Sequence, residues 1–116
     1  MMKKLVMILF AAVSLSAFAA DTTVKGYLVD LACAKEDGSK ADFGAKHTKG
    51  CLQMPDCEKS GYGVLTDDKK VIRFDKAGNE EAKKFIAALT QKKDIKVAVN
   101  GAVTGDNMTV SKIALQ

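Results

Sequence analysis

Tyr62 to Val99 reads YGVLTDDKKVIRFDKAGNEEAKKFIAALTQKKDIKVAV, and its hydrophobic period changes twice. Tyr62–Thr66 and Lys70–Asp75 are short β-branched and aromatic runs flanking Asp67-Asp68-Lys69, which is a hairpin signal. From Asn79 onward the apolar residues Ala82, Phe85, Ile86 and Leu89 fall on one helical face. Asn79 is the expected cap, Glu80 and Glu81 occupy the first turn and Lys92 and Lys93 the last, so charge opposes the helix dipole at both ends. At Ile95 the period returns to two, with Ile95, Val97 and Val99 alternating with Lys96, Ala98 and Asn100 as in a half-buried strand.

Downstream, Gly101 marks a bend, and Thr104-Gly105-Asp106-Asn107 turns the chain into a last strand, Met108–Leu115. Upstream, Thr22–Leu31 (TTVKGYLVDL) is a first strand with a bend at Gly26. The order is strand, insertion, strand, strand, helix, strand, strand. Five short antiparallel strands with one helix between the third and fourth make a mainly β, α+β domain with the element order of an OB-like barrel. An open α+β sheet with the helix on one face is the alternative. Tyr62 and Phe74 fall on the strands where such barrels often bind ligands, yet two strand aromatics more commonly fill a core than stack bases.

The insertion after the first strand, Cys33–Cys57, is CAKEDGSKADFGAKHTKGCLQMPDC. It holds all three cysteines, the single histidine and the single proline of the chain. Ala41–Leu52 within it can form a short helix interrupted by Gly44 and Gly50. The end of the first strand fixes Cys33, and the insertion must return to begin the second strand beside the first. Cys33, Cys51 and Cys57 are therefore expected to converge at one end of the barrel with His47 beside them.

At the N-terminus, Lys3 and Lys4 precede the apolar run Leu5–Val13 and then Ala17-Phe18-Ala19. That is the three-part order of a signal peptide, residues 1–19, cut after Ala19. The run is too short for a span of about 20 residues. Residues 20–116 are then a single OB-like domain, periplasmic or secreted, with no membrane span in the mature form. Removing the signal lowers the net charge from +4 to +2. The remaining lysines are scattered singly or in pairs, so nothing in the charge pattern calls for nucleic acid as a partner.

VKGYLVDLAC, a His-x3-Cys pair, a further cysteine and then GYGVL resemble a loosely defined group of small secreted bacterial proteins of uncharacterised function. The likeness extends to the closing pattern KVAVNGAVTGDNMTVSKIAL. It implies an OB-like barrel with cysteines and a histidine in the connection after strand one, and it places Cys33, His47, Cys51 and Cys57 at the group's Cys and His positions.

Three cysteines cannot all pair within one chain, so at least one is free, metal-bound or joined to another molecule. Three readings follow. In the first, Cys33, His47, Cys51 and Cys57 bind a transition metal. Zinc suits thiolate and imidazole, and Cu(I) suits thiolates with a thioether, for which Met54 is a further candidate. In the second, one disulfide staples a periplasmic binding or structural module, with a metal-free site and an unknown partner. A Cys33–Cys51 or Cys33–Cys57 bridge would contribute about 3 kcal/mol and a Cys51–Cys57 bridge nearer 2. In the third the cysteines are redox-active, although the chain contains no C-x-x-C. No G-x-S-x-G is present and a lone histidine does not make a triad, so the sequence reads as a binding module and not as an enzyme.

Overall fold

The computed structural model describes residues 21–116; the expected export signal lies outside the described residues. Five strands close into a barrel, β1 (Asp21–Asp30), β2 (Tyr62–Leu65), β3 (Val71–Phe74), β4 (Lys96–Thr104) and β5 (Asn107–Leu115), in the spatial order β1-β2-β3-β5-β4 with β1 pairing back onto β4. This is the OB-like barrel expected from the element order. One pairing departs from the all-antiparallel expectation: β3 and β5 run parallel, joined at Arg73↔Asn107 and Phe74↔Met108. The long excursion through the helix and β4 brings β5 back to β3 in the same direction, and a parallel pair needs such a crossover. The bend foreseen at Gly101 is a break in the β4–β5 register between Asn100 and Gly101. Gly105 sits at φ 63 in the turn that follows.

Alternation sorts the strand residues into two sets. Leu28, Val64, Ile72, Phe74, Val97, Val99 and Met108 point inward to one core. Val29 and Leu65 point outward into a second, smaller cluster with Ala34, packed by Tyr27, Phe43 and Val71. Tyr62 and Phe74 are 1% and 6% exposed, so both rings are core residues with no face free for a base.

The helix between β3 and β4 buries Ala82 and Ile86, with Leu89 buried at its C-cap, while Phe85 is only partly covered. It spans Lys76–Ala88 and is the fifth helix among the described residues. It starts earlier and ends earlier than the charge pattern suggested. Asp75 is the N-cap, accepting from the Gly78 N–H at 2.9 Å. Asn79 instead lies within the first turns and accepts from the Tyr62 N–H at 2.8 Å, tying the helix to β2. Lys92 and Lys93 lie beyond the helix, in the segment that leads to β4.

The insertion forms four short helices, α1 (Leu31–Asp37), α2 (Phe43–Lys46), α3 (Lys49–Leu52) and α4 (Pro55–Ser60), leaving Lys76–Ala88 as α5. The interrupted helix expected over Ala41–Leu52 is thus two single turns, and α1 and α4 were hidden in the sequence. Leu31 belongs to α1 and not to the first strand. α2 lies against β1, and a Cβ at Gly44 would stand 2.2 Å from the Tyr27 ring, so only glycine allows that approach. Leu52 of α3 is fully buried in the main core, and its carbonyl accepts from the Tyr62 hydroxyl at 2.7 Å. The insertion is therefore packed onto the barrel at both clusters, and it holds its cysteines on short helical turns, those of Cys33 and Cys51 capped by Asp30 and Thr48.

Candidate metal centre

Strand β1 ends in Asp30, which is 0% exposed. Its Oδ2 accepts the Cys33 N–H at 2.9 Å and so caps α1. That cap fixes Cys33 in the first turn of α1, one turn beyond the barrel. From the other end of the insertion, Pro55 at the first position of α4 starts the turn that carries Cys57. β2 then begins opposite β1, with Tyr62 in register with Asp30. Returning the chain to that register brings Cys57 to Cys33, and their Sγ atoms stand 4.0 Å apart. One carboxylate oxygen of Asp30 and the two sulfurs all lie within 4.8 Å of one another, a grouping that can hold a metal ion.

His47 reaches the same carboxylate from the end of α2. Its Nε2 lies 2.7 Å from Asp30 Oδ1, and the histidine is 6% exposed. The ring also packs on Phe43, with centroids 4.7 Å apart. With Asp30 ionised and accepting, Nε2 is the protonated, donating nitrogen. Burial pushes the Asp30 carboxyl up. The His47 hydrogen bond, the Cys33 N–H, the His47 charge and the Cys57 thiol together outweigh burial and hold the group below its ordinary value.

That charge acts on the cysteines in the opposite sense. Burial first, and then the Asp30 carboxylate, push the Cys33 thiol up to about 12. The same two causes raise Cys57, with a further push from Cys51. Both thiols are therefore protonated at neutral pH and poor nucleophiles. A carboxylate and two potential thiolates share one small space, with His47 the one basic side chain bonded to the group. A metal ion held there would deprotonate the thiols that coordinate it.

The cysteine and histidine positions singled out in the sequence thus divide. Cys33 and Cys57 meet. Cys51, on α3 with its amide held by the Thr48 hydroxyl at 3.1 Å, is near enough to act on Cys57 but stands outside the mutually close group. His47 is bound to Asp30 and also stands outside that group. Met54, 53% exposed, faces solvent. No two cysteines are at bonding distance: the Cys33–Cys57 separation of 4.0 Å is about twice a disulfide length. Asp30 was missed. Its signal was the pattern Asp30-Leu31-Ala32-Cys33, an acidic residue closing a strand and capping the helix that carries a cysteine.

No family model, curated protein or solved structure matches the chain.

Proposed function

We propose that this protein is an exported binding module that holds a transition metal ion, zinc before copper, at the end of β1. In this reading Cys33, Cys57 and Asp30 are ligands, Cys51 is the fourth donor, and His47 holds the Asp30 carboxylate in place. The observation that carries it is the spacing of the three donors. Two thiolates each about 2.3 Å from a shared ion and 4.0 Å from each other subtend roughly 120° at it, the trigonal angle and about 10° wider than the tetrahedral one. The carboxylate tips the choice toward zinc, because Cu(I) prefers sulfur alone. The expectation of a site built from three cysteines and a histidine is revised here by giving Asp30 the ligand position and His47 the supporting one. A histidine donating to a ligating carboxylate is a common way of fixing such a ligand.

The raised thiol pKa values speak against a redox enzyme, whose attacking cysteine needs a lowered one, and a metal bound there displaces the thiol protons. One observation favours a second reading: Cys33 and Cys57 are the pair in contact, so a staple would join these two. Closing a loop of about 25 residues would contribute about 3 kcal/mol.

Element analysis and thiol counting on protein purified from its native compartment separate the two. The metal reading expects one equivalent of zinc and three titratable thiols after unfolding with a chelator. One thiol, with zinc failing to bind after reduction, leaves the staple. In zinc competition titrations of reduced protein, Cys33→Ser and Cys57→Ser should abolish tight binding. His47→Ala should weaken it about 10- to 100-fold, the range for lost support of a ligand. Equal affinity of wild type and Asp30→Asn for zinc would remove Asp30 from the site.

A further inference from the structure

A second feature lies on the other side of α1. Leu31, Ala34 and Lys35 share one face of that helix, at the spacing of three and four residues that aligns side chains. That face stands over the outer surface of β3, where Val71 and Arg73 alternate with the inward Ile72 and Phe74. Between them is a groove of about 320 Å³ lined by these five residues. It falls at the lower edge of the range, about 300–1,000 Å³, of pockets that hold small organic molecules. Beside it Gly63 pairs with Arg73 across β2 and β3, and Leu31 settles over that glycine with Cδ2 3.3 Å from where a Cβ would stand.

The walls are apolar and the charge is of one sign. Leu31, Ala34 and Val71 provide the hydrocarbon, and Lys35 and Arg73 the two cations. Among the described residues neither cation forms an ion pair or a side-chain hydrogen bond. Lys40 and Lys46, in the same insertion, are both paired with aspartates. A guanidinium is a planar fork of donors shaped for a carboxylate. Placed beside a groove whose remaining surface gains from covering hydrocarbon, it selects a ligand with a carboxylate head and an apolar body.

We propose that this groove is a binding site for a small apolar monocarboxylate, with Arg73 and Lys35 on the carboxylate and Leu31, Ala34 and Val71 on the hydrocarbon. The site is separate from the cysteine cluster, since Cys33 leaves α1 toward Cys57 on α4, and it does not depend on the metal reading.

Sodium octanoate below its micellar concentration is the probe, followed by amide chemical shifts of the purified protein. Saturable shifts confined to α1, β3 and Gly63 are expected. Arg73→Gln should weaken binding about tenfold, the loss of one charge-assisted hydrogen bond, and Lys35→Gln should weaken it less. Both residues are exposed, so the variants should keep the wild-type melting temperature. Should Arg73→Gln not fold, the Lys35→Gln titration and the salt dependence of wild-type binding carry the test. Octanol binding as tightly as octanoate, or affinity unchanged by salt, would overturn the anion assignment. Absence of saturable shifts at the groove would overturn the site.

Discussion

Replacing Asp30 tests the organisation of the cysteine end of the barrel more sharply than replacing a cysteine does. The carboxylate has two roles in the metal-free protein: it caps α1 through the Cys33 N–H at 2.9 Å and accepts from His47 at 2.7 Å. Both partners are held where water does not reach, Asp30 being fully buried and His47 nearly so. Truncation to alanine removes a cap worth about 1 kcal/mol. It also leaves His47 buried without the carboxylate to which it donates, and a buried group that loses its hydrogen-bond partner costs about 1–3 kcal/mol more. Asparagine is nearly the same size but keeps only one acceptor: its carbonyl can cap the Cys33 N–H while its amide NH2 faces His47 Nε2, which accepts in the other neutral tautomer, so Asp30→Asn should cost only about 1–2 kcal/mol, the charge-assisted share of the bonds. Urea unfolding of the reduced, chelator-treated proteins at neutral pH measures both. Against a total stability of about 5–15 kcal/mol, the alanine variant should be visibly close to unfolding and the asparagine variant should not. Alanine costing under about 1 kcal/mol, or asparagine costing as much as alanine, would show that Asp30 does not hold the insertion to β1.

Ile86, 1% exposed in the main core, should cost about 2–5 kcal/mol when replaced by alanine. Phe85, only partly covered, should cost less than Ile86 in the same denaturant melts, and the reverse order would mean that α5 is rotated from the face described. Gly44→Ala should destabilise by about 1–3 kcal/mol through overpacking, because the added Cβ meets the Tyr27 ring; a neutral result would show that α2 does not rest on that ring. In the reduced, metal-free protein, stability should fall as pH rises from about 9 toward 12. Cys33 keeps its proton in the folded state up to about 12 while the unfolded thiol loses it near 9, so the unfolded chain binds fewer protons across that window. Tyr62, also raised to about 12 by burial, adds to the fall above 10, and Cys33→Ser should remove the earlier part; unfolding midpoints that rise with pH would contradict the burial of these groups. At the acid end, the lowered Asp30 pKa contributes stability that is present above the ordinary carboxylate value and lost as pH falls through the folded one.

The barrel was readable because its strands announce themselves locally. Val97 and Val99 alternate with polar neighbours, and hairpin and turn signals stand at Asp67–Lys69 and Thr104–Asn107. What local pattern does not encode is which strands meet, so the parallel β3–β5 pair stayed hidden. The start of α5 was misplaced for a specific reason. Asp75 caps it three residues before Gly78, and a glycine in a first turn reads as a breaker. Glu80 and Glu81 made Asn79 the apparent cap, whereas Asn79 serves a tertiary hydrogen bond instead.

The site was half readable, and the missing half follows from how it is built. Three cysteines and one histidine in a single connection point to shared chemistry through residue type alone. The return of that connection to β2 was enough to foresee that Cys57 comes back to Cys33. Asp30 carries no such mark, because an aspartate after Val29 continues the alternation of a strand. Its burial depends on His47, Cys57 and Tyr62 arriving from elsewhere in the chain. Once they do, desolvation makes the aspartate the strongest organiser of the cluster: it caps the helix of one cysteine, raises the pKa of two and fixes the histidine. The cysteine side chains provide the donor atoms, and the strand end sets where they stand. For that reason, Asp30→Asn should lower the pH at which Cys33 and Cys57 react with a thiol reagent, since it removes a negative charge that holds both thiols protonated. Alkylation rates followed from pH 7 to 11 measure this, and an unchanged profile would mean that burial alone sets the thiol pKa values and that the carboxylate is not part of the cluster.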